Sequence, residues 1–203
     1  VRDNRARWAL EEAGLQYDVF LVDDETLDGN GYRAWNPFGQ VPAYRDDGIE
    51  LFESGAILLH LAQTTEALAP ADPADFARMT AWVIAALSSV EPYVQNYVRL
   101  DVFHADQTWV SSYRPIAEAE LRRRLAALAR WLDGREFLEA RFTVGDIAMS
   151  SVLRDLTESG ILNDYPAVAA YLERCIARPA FKRAIDAQLE GYRSNAPART
   201  IPE

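Results

Sequence analysis

The chain has 203 residues, 49% hydrophobic and 26% charged, with a formal net charge of −10 at pH 7. That length is enough for one large core or two modest ones, and the composition is that of an ordinary globular protein. The acidic balance argues against a nucleic-acid surface, which needs Lys and Arg at the phosphates, and no apolar run approaches the roughly 20 residues of a membrane span.

Asp3 can cap a helix that carries Ala6, Ala9, Leu10 and Ala13 at helical spacing, with Gly14 just past its end. Trp8 falls off that stripe and is expected beneath a neighbouring element. Residues 17–22 alternate polar and apolar side chains, which predicts a strand. The polar, glycine-bearing stretch 23–32 predicts a loop, and 33–35 one helical turn broken by Asn36-Pro37-Phe38-Gly39. Strands at 41–44 and 49–52 flank the turn signal Asp46-Asp47-Gly48, hence a hairpin. Ser54 then caps a helix running to residue 63.

Residues 64–75 are rich in Ala, Pro, Asp and Thr and read as a linker. Beyond them the pattern is helical throughout. A long helix at 73–100 carries Phe76, Met79, Trp82, Val83, Ala86, Leu87 and Val90 at three- and four-residue steps, and Pro92 should kink or interrupt it. Further helices are expected at 109–131, 147–159, 165–177 and 178–190, followed from Ser194 by a tail with little to bury. The expected organisation is an α/β unit at 1–65 and an all-helical unit at 73–203. No charged-then-apolar leader is read. Cys175 is the single cysteine, so a reducing, cytoplasmic compartment is expected.

Two places combine groups suited to a ligand. The Val41–Pro42 bond joins a loop to a strand, where cis costs only about 0.5–1 kcal/mol. A cis bond would turn the Val41 N–H and carbonyl outward to pair with an extended ligand, whereas a trans proline would simply open an edge strand. Glu53-Ser54 sets a carboxylate and a hydroxyl where a helix begins, and a helix N-terminus favours an anion. Taken singly, that pair is also what an ordinary helix cap looks like. In order, with the hairpin between, these features suit a small zwitterionic peptide: strand-edge backbone for its amides, a helix mouth for its carboxylate, and Glu53 for its amine.

Other candidates are structural or weak. Thr143-x-x-Asp146 reads as a capping box whose aspartate serves folding. His60, His104 and Cys175 lie too far apart in sequence to build a metal site. Ser88-Ser89 and Ser150-Ser151 lack a nucleophile-elbow context.

Across nearly its whole length the chain resembles the soluble glutathione transferase family. The run Arg5-Ala6-Arg7-Trp8-Ala9-Leu10-Glu11-Glu12-Ala13-Gly14-Leu15-Gln16-Tyr17 is similar to that family's first helix and its turn into strand two. Asn36-Pro37-Phe38-Gly39-Gln40-Val41-Pro42 resembles the loop into its cis-proline strand, and residues 47–61 its hairpin, Glu-Ser pair and third helix. Phe142-Thr143-Val144-Gly145-Asp146-Ile147-Ala148 looks like its capping box, and Arg178-Pro179-Ala180-Phe181-Lys182-Arg183-Ala184 its closing segment.

The resemblance implies a thioredoxin-like α/β N-terminal domain, an all-α C-terminal helical bundle domain and a homodimer. It implies glutathione as co-substrate. Val41 would pair its backbone with the cysteinyl unit, Pro42 would be the cis proline, Glu53 and Ser54 would bind the γ-glutamyl end, and Gln40 would be a further contact. The implied activity is detoxifying addition of the glutathione thiol to a small hydrophobic electrophile, in a second pocket drawing on Tyr93, Tyr97, Phe103 or His104. Alternatives on the same scaffold are a non-catalytic interaction module and a glutathione-dependent reductase or isomerase. The family's catalytic Tyr, Ser or Cys would fall at or before Val1, which leaves Arg2 and Asn4 as the nearest donors. An N-terminal segment ahead of Val1, carrying the first strand, is therefore expected.

Overall fold

Asp3–Ala13 forms the first helix, α1, in the computed structural model, which describes residues 2–195. Gly14 ends it in the left-handed conformation at φ 67°, open to a residue without Cβ. Two short helices follow, α2 (Asp24–Asp28) and α3 (Asn30–Trp35). An antiparallel hairpin of β1 (Ala43–Asp46) and β2 (Ile49–Phe52) comes next, with Ala43 opposite Phe52 and Asp46 opposite Ile49. Asp47 and Gly48 both take positive φ, 36° and 85°, as a tight hairpin turn matching strand twist requires. α4, Ser54–Thr64, completes this first half.

Among the described residues every element from Pro73 onward is helical. α5 (Pro73–Ile84) passes through a π-helical stretch, Ala85–Val90, into α6 (Glu91–Val102). α7 (Val110–Leu132) and α8 (Val144–Leu153) follow, then two short 3-10 stretches, and finally α9 (Pro166–Ile176) and α10 (Pro179–Asn195). Ile57, Leu58 and Leu61 of α4 share one buried cluster with Met79 and Val83 of α5, Ile147 of α8 and Tyr171 of α9. One core therefore spans both halves. Trp8 lies inside it, as expected from its place off the α1 stripe. Its ring meets Phe181 edge-on at 4.8 Å and Phe142 at 5.8 Å. Arg178 reinforces the contact with two bonds to Glu12, at 2.6 and 2.8 Å.

The capping box forms as read: the Thr143 side chain accepts from the Gly145 amide at 3.2 Å, and Asp146 accepts from the Thr143 amide at 2.9 Å. Asp146 also accepts from the Leu138 amide and the Tyr171 hydroxyl. Cys175 is buried beside that group. Burial pushes its thiol up to about 12, with the nearby Asp146 charge adding to the effect. Because the thiolate is the reactive form, native protein at pH 8 should leave a thiol reagent such as Ellman's unreacted. Unfolding in guanidinium should release one equivalent, and rapid native labelling would contradict the burial.

Several elements differ from the sequence expectations. Residues 17–22 form no strand: no strand lies beside them among the described residues, and Phe20 is 88% exposed. Alternation alone does not make a strand without a ladder partner. The expected loop at 23–32 folds into α2 and α3, because Asp23 caps α2 by accepting from the Thr26 amide at 2.8 Å and the acidic first turn suits a helix start. Pro92 does interrupt the long helix, at the start of α6 directly after the π-helical stretch. The helix expected from 147 begins at Val144 and tightens into 3-10 geometry at Arg154. α10 extends beyond the expected end at 190. Val1 and residues 196–203, including most of the expected tail, lie outside the described residues.

Candidate functional site

The site is built from the loop before β1 upward. Gly39 turns the chain at φ 59°, and a Cβ there would sit 2.8 Å from the Leu27 carbonyl oxygen, so the position requires glycine. Buried Asn36 donates its side-chain amide to the Gln40 carbonyl at 2.6 Å, and the Tyr32 hydroxyl donates to the same oxygen at 2.8 Å. These bonds fix the entry to the Val41–Pro42 peptide, which is cis. Neither the N–H nor the carbonyl of Val41 has a hydrogen-bond partner among the described residues.

The hairpin returns the chain to Glu53, at φ 69° and ψ 117°. A non-glycine residue held there costs on the order of 1–3 kcal/mol and marks a position fixed by its surroundings. This geometry corrects one expectation. Ser54 is the first helical residue and not the cap, and its side chain makes no capping bond. Its hydroxyl oxygen instead accepts from Arg5 Nη1 of α1 at 3.2 Å. A charged donor laid against the helix start outcompetes a neutral amide for that oxygen.

Gln40, Val41, Pro42, Glu53 and Ser54 come together around one small recess, joined by Arg2 and Asn36. The recess lies at the N-terminus of α4, where amides without intrahelical acceptors and the helix dipole favour a negative group. Gly55 lets the helix sit tight on the second half: a Cβ there would fall 2.6 Å from Leu87 Cδ1. Beneath Ser54 the Arg5 guanidinium reaches Glu91, the first residue of α6, at 3.1 and 3.3 Å. Glu91 also takes Arg2 Nε at 3.1 Å.

Sequence reasoning missed Asn36, Arg5 and Glu91 as parts of this arrangement. Asn36 carried a readable signal as the polar residue opening a Pro-Phe-Gly turn. Arg5 and Glu91 are 86 residues apart, and nothing in local spacing links them. The aromatic residues expected to form a second pocket do not line this recess. The Tyr93 hydroxyl accepts from Arg124 at 2.6 Å, Phe103 packs against Arg99, and the His104 ring meets Trp109 at a tilt of 51°, centroids 5.3 Å apart. A wider groove of about 640 Å³ lies between α1 and α10, lined in part by Arg7, Tyr17, Leu21 and Arg183. Its two guanidinium groups are already taken by Asp3 and Glu11, and none of the expected site residues reaches it.

Residues 1–63 match the family described as glutathione S-transferase, N-terminal domain. A glutathione S-transferase of Hyoscyamus muticus is 28% identical over 190 residues, 87% of this chain and 89% of that one. The crystal structure of a glutathione transferase from Burkholderia graminis, with two glutathione molecules bound per subunit, superposes with a TM-score of 0.83 at 29% identity. That match covers 98% of this chain and 85% of the other. A Pseudomonas putida glutathione transferase, solved with one glutathione disulfide per subunit, gives 0.81 at 25% identity over 91% and 86% of the two chains. The hairpin with its cis proline, the helix that follows it and the all-helical second half are thus parts of one known architecture: the chain has the glutathione transferase fold, thioredoxin-like at its N-terminal end and all-α at its C-terminal end, and is similar to soluble glutathione S-transferases along most of its length.

Proposed function

We propose that the chain is a glutathione transferase that binds glutathione in the recess of Gln40, Val41, Pro42, Glu53 and Ser54 and adds its thiol to a small, hydrophobic electrophile. One observation carries the reading: a peptide unit at Val41 with no hydrogen-bond partner among the described residues, a carboxylate at Glu53 and a hydroxyl at a helix mouth surround the same recess. The Val41 backbone answers the cysteinyl amide and carbonyl. Ser54 and the α4 N-terminus answer the γ-glutamyl carboxylate, and Glu53 answers its ammonium. The conjugating species is the thiolate, scarce for an unassisted thiol of pKa about 8.5. The Arg2 charge at the recess edge favours that ionised form. In the same reading residues 1–65 are the glutathione-binding domain and 73–203 the helical domain, and the protein works as a cytoplasmic homodimer.

Calorimetric titration tests the placement. Glutathione should bind wild type, and Ser54→Ala should weaken it about tenfold or more, the cost of one hydrogen bond to a charged group. Binding left intact by the substitution would contradict the assignment.

A second reading, glutathione-dependent disulfide reduction, is favoured by the two glutathione molecules and the glutathione disulfide bound to the Burkholderia graminis and Pseudomonas putida proteins. There two glutathione thiols would reduce one disulfide, giving glutathione disulfide and two free thiols. Turnover of a small disulfide with none of an aryl halide would select it over conjugation.

A further inference from the structure

Arg5 is a buried cation that belongs to neither half alone. It sits on α1 with only 4% of its surface exposed, and its guanidinium forks between Ser54 of α4 and Glu91 of α6. Arg2 reaches the same Glu91 carboxylate. Two guanidinium groups thus share one carboxylate, leaving an excess positive charge directly behind the recess. Arg5 Nε is buried with no hydrogen-bond partner among the described residues. Such an incompletely paired buried cation is costly unless it serves a negative group nearby.

The direction of the bond to Ser54 matters as much as the charge. A serine hydroxyl has one proton and accepts through its oxygen. With Arg5 Nη1 donating to that oxygen, the hydroxyl proton is left to point elsewhere, as a donor. We propose that Arg5, held from the helical half by Glu91, is a positioning residue that fixes the Ser54 hydroxyl as a donor to the γ-glutamyl α-carboxylate of the ligand. The inference rests on the glutathione reading above. It adds that grip on this carboxylate depends on a fork spanning α1, α4 and α6, so that a helical-half residue with no ligand contact of its own sets the polarity of a first-half group.

A double-mutant cycle tests this with S-hexylglutathione as ligand, the hexyl tail adding affinity through apolar burial. Arg5→Lys keeps the charge but loses the planar fork that reaches both partners. It should weaken binding about tenfold when Ser54 is present and less than twofold in a Ser54→Ala background. It should also leave unchanged the binding of the counterpart whose γ-glutamyl residue is replaced by 4-aminobutyrate, which lacks that carboxylate. Equal losses in both backgrounds and for both ligands would overturn the positioning role while leaving the glutathione reading standing. Failure of wild type to bind S-hexylglutathione at all would overturn both. Should Arg5→Lys not fold, Glu91→Asp keeps every charge and draws the fork back by one methylene, and the same pattern is expected of it.

Discussion

Asp146→Ala should destabilise the protein by about 3–5 kcal/mol at neutral pH, read from urea unfolding followed by circular dichroism. The carboxylate is fully buried and accepts from the Leu138 amide, the Thr143 amide and the Tyr171 hydroxyl at 2.9, 2.9 and 3.0 Å. Deleting it strands those donors in the core at about 1–3 kcal/mol each, partly relieved by relaxation. It also removes half of the capping box that starts α8. Burial raises the Asp146 carboxyl above its ordinary 3.8, against the lowering effect of its hydrogen bonds. A raised carboxyl contributes stability that is complete below the unfolded-state value and lost as pH climbs through the folded-state one. The gap between wild type and variant should therefore be widest in acid and narrow toward neutrality. A loss under about 1 kcal/mol would show that the three donors find other acceptors.

Trp8→Ala should cost a similar amount, about 3–5 kcal/mol, as the removal of a large buried aromatic does. Trp8 has no exposed surface and fills the space between α1 and the rings of Phe142 and Phe181. Trp8→Phe should keep most of that packing. It loses the smaller part of the ring volume together with the indole bond to Glu12 at 3.0 Å, and Glu12 stays paired with Arg178. Equal losses from the two substitutions would mean that the bond, and not the packed volume, holds α1 in place.

How legible the molecule is from its sequence follows the range of the interactions involved. The hairpin, α4, the Thr143–Asp146 box and the helical second half are written in local signals: the Asp-Gly turn, periodic apolar faces, and a threonine three residues before an aspartate. The grouping of Val41, Pro42, Glu53 and Ser54 was also readable, because a tight hairpin brings its two ends together. Residues 17–22 misled because alternation reports a face to bury and not a neighbour to pair with. Ser54 misled because its oxygen answers to Arg5 across 49 residues, and no local pattern ranks that partner above the nearest amide. A longer separation, 86 residues from Arg5, hid Glu91, whose place under the recess depends on how α6 leaves the π-helical stretch.

A crystal structure of the protein grown with glutathione tests the central assignment most directly. The cysteinyl unit should pair with the Val41 backbone, and the γ-glutamyl carboxylate should lie on Ser54 with its ammonium toward Glu53. Glutathione seated elsewhere, such as in the groove between α1 and α10, with the Val41 recess empty, would contradict it.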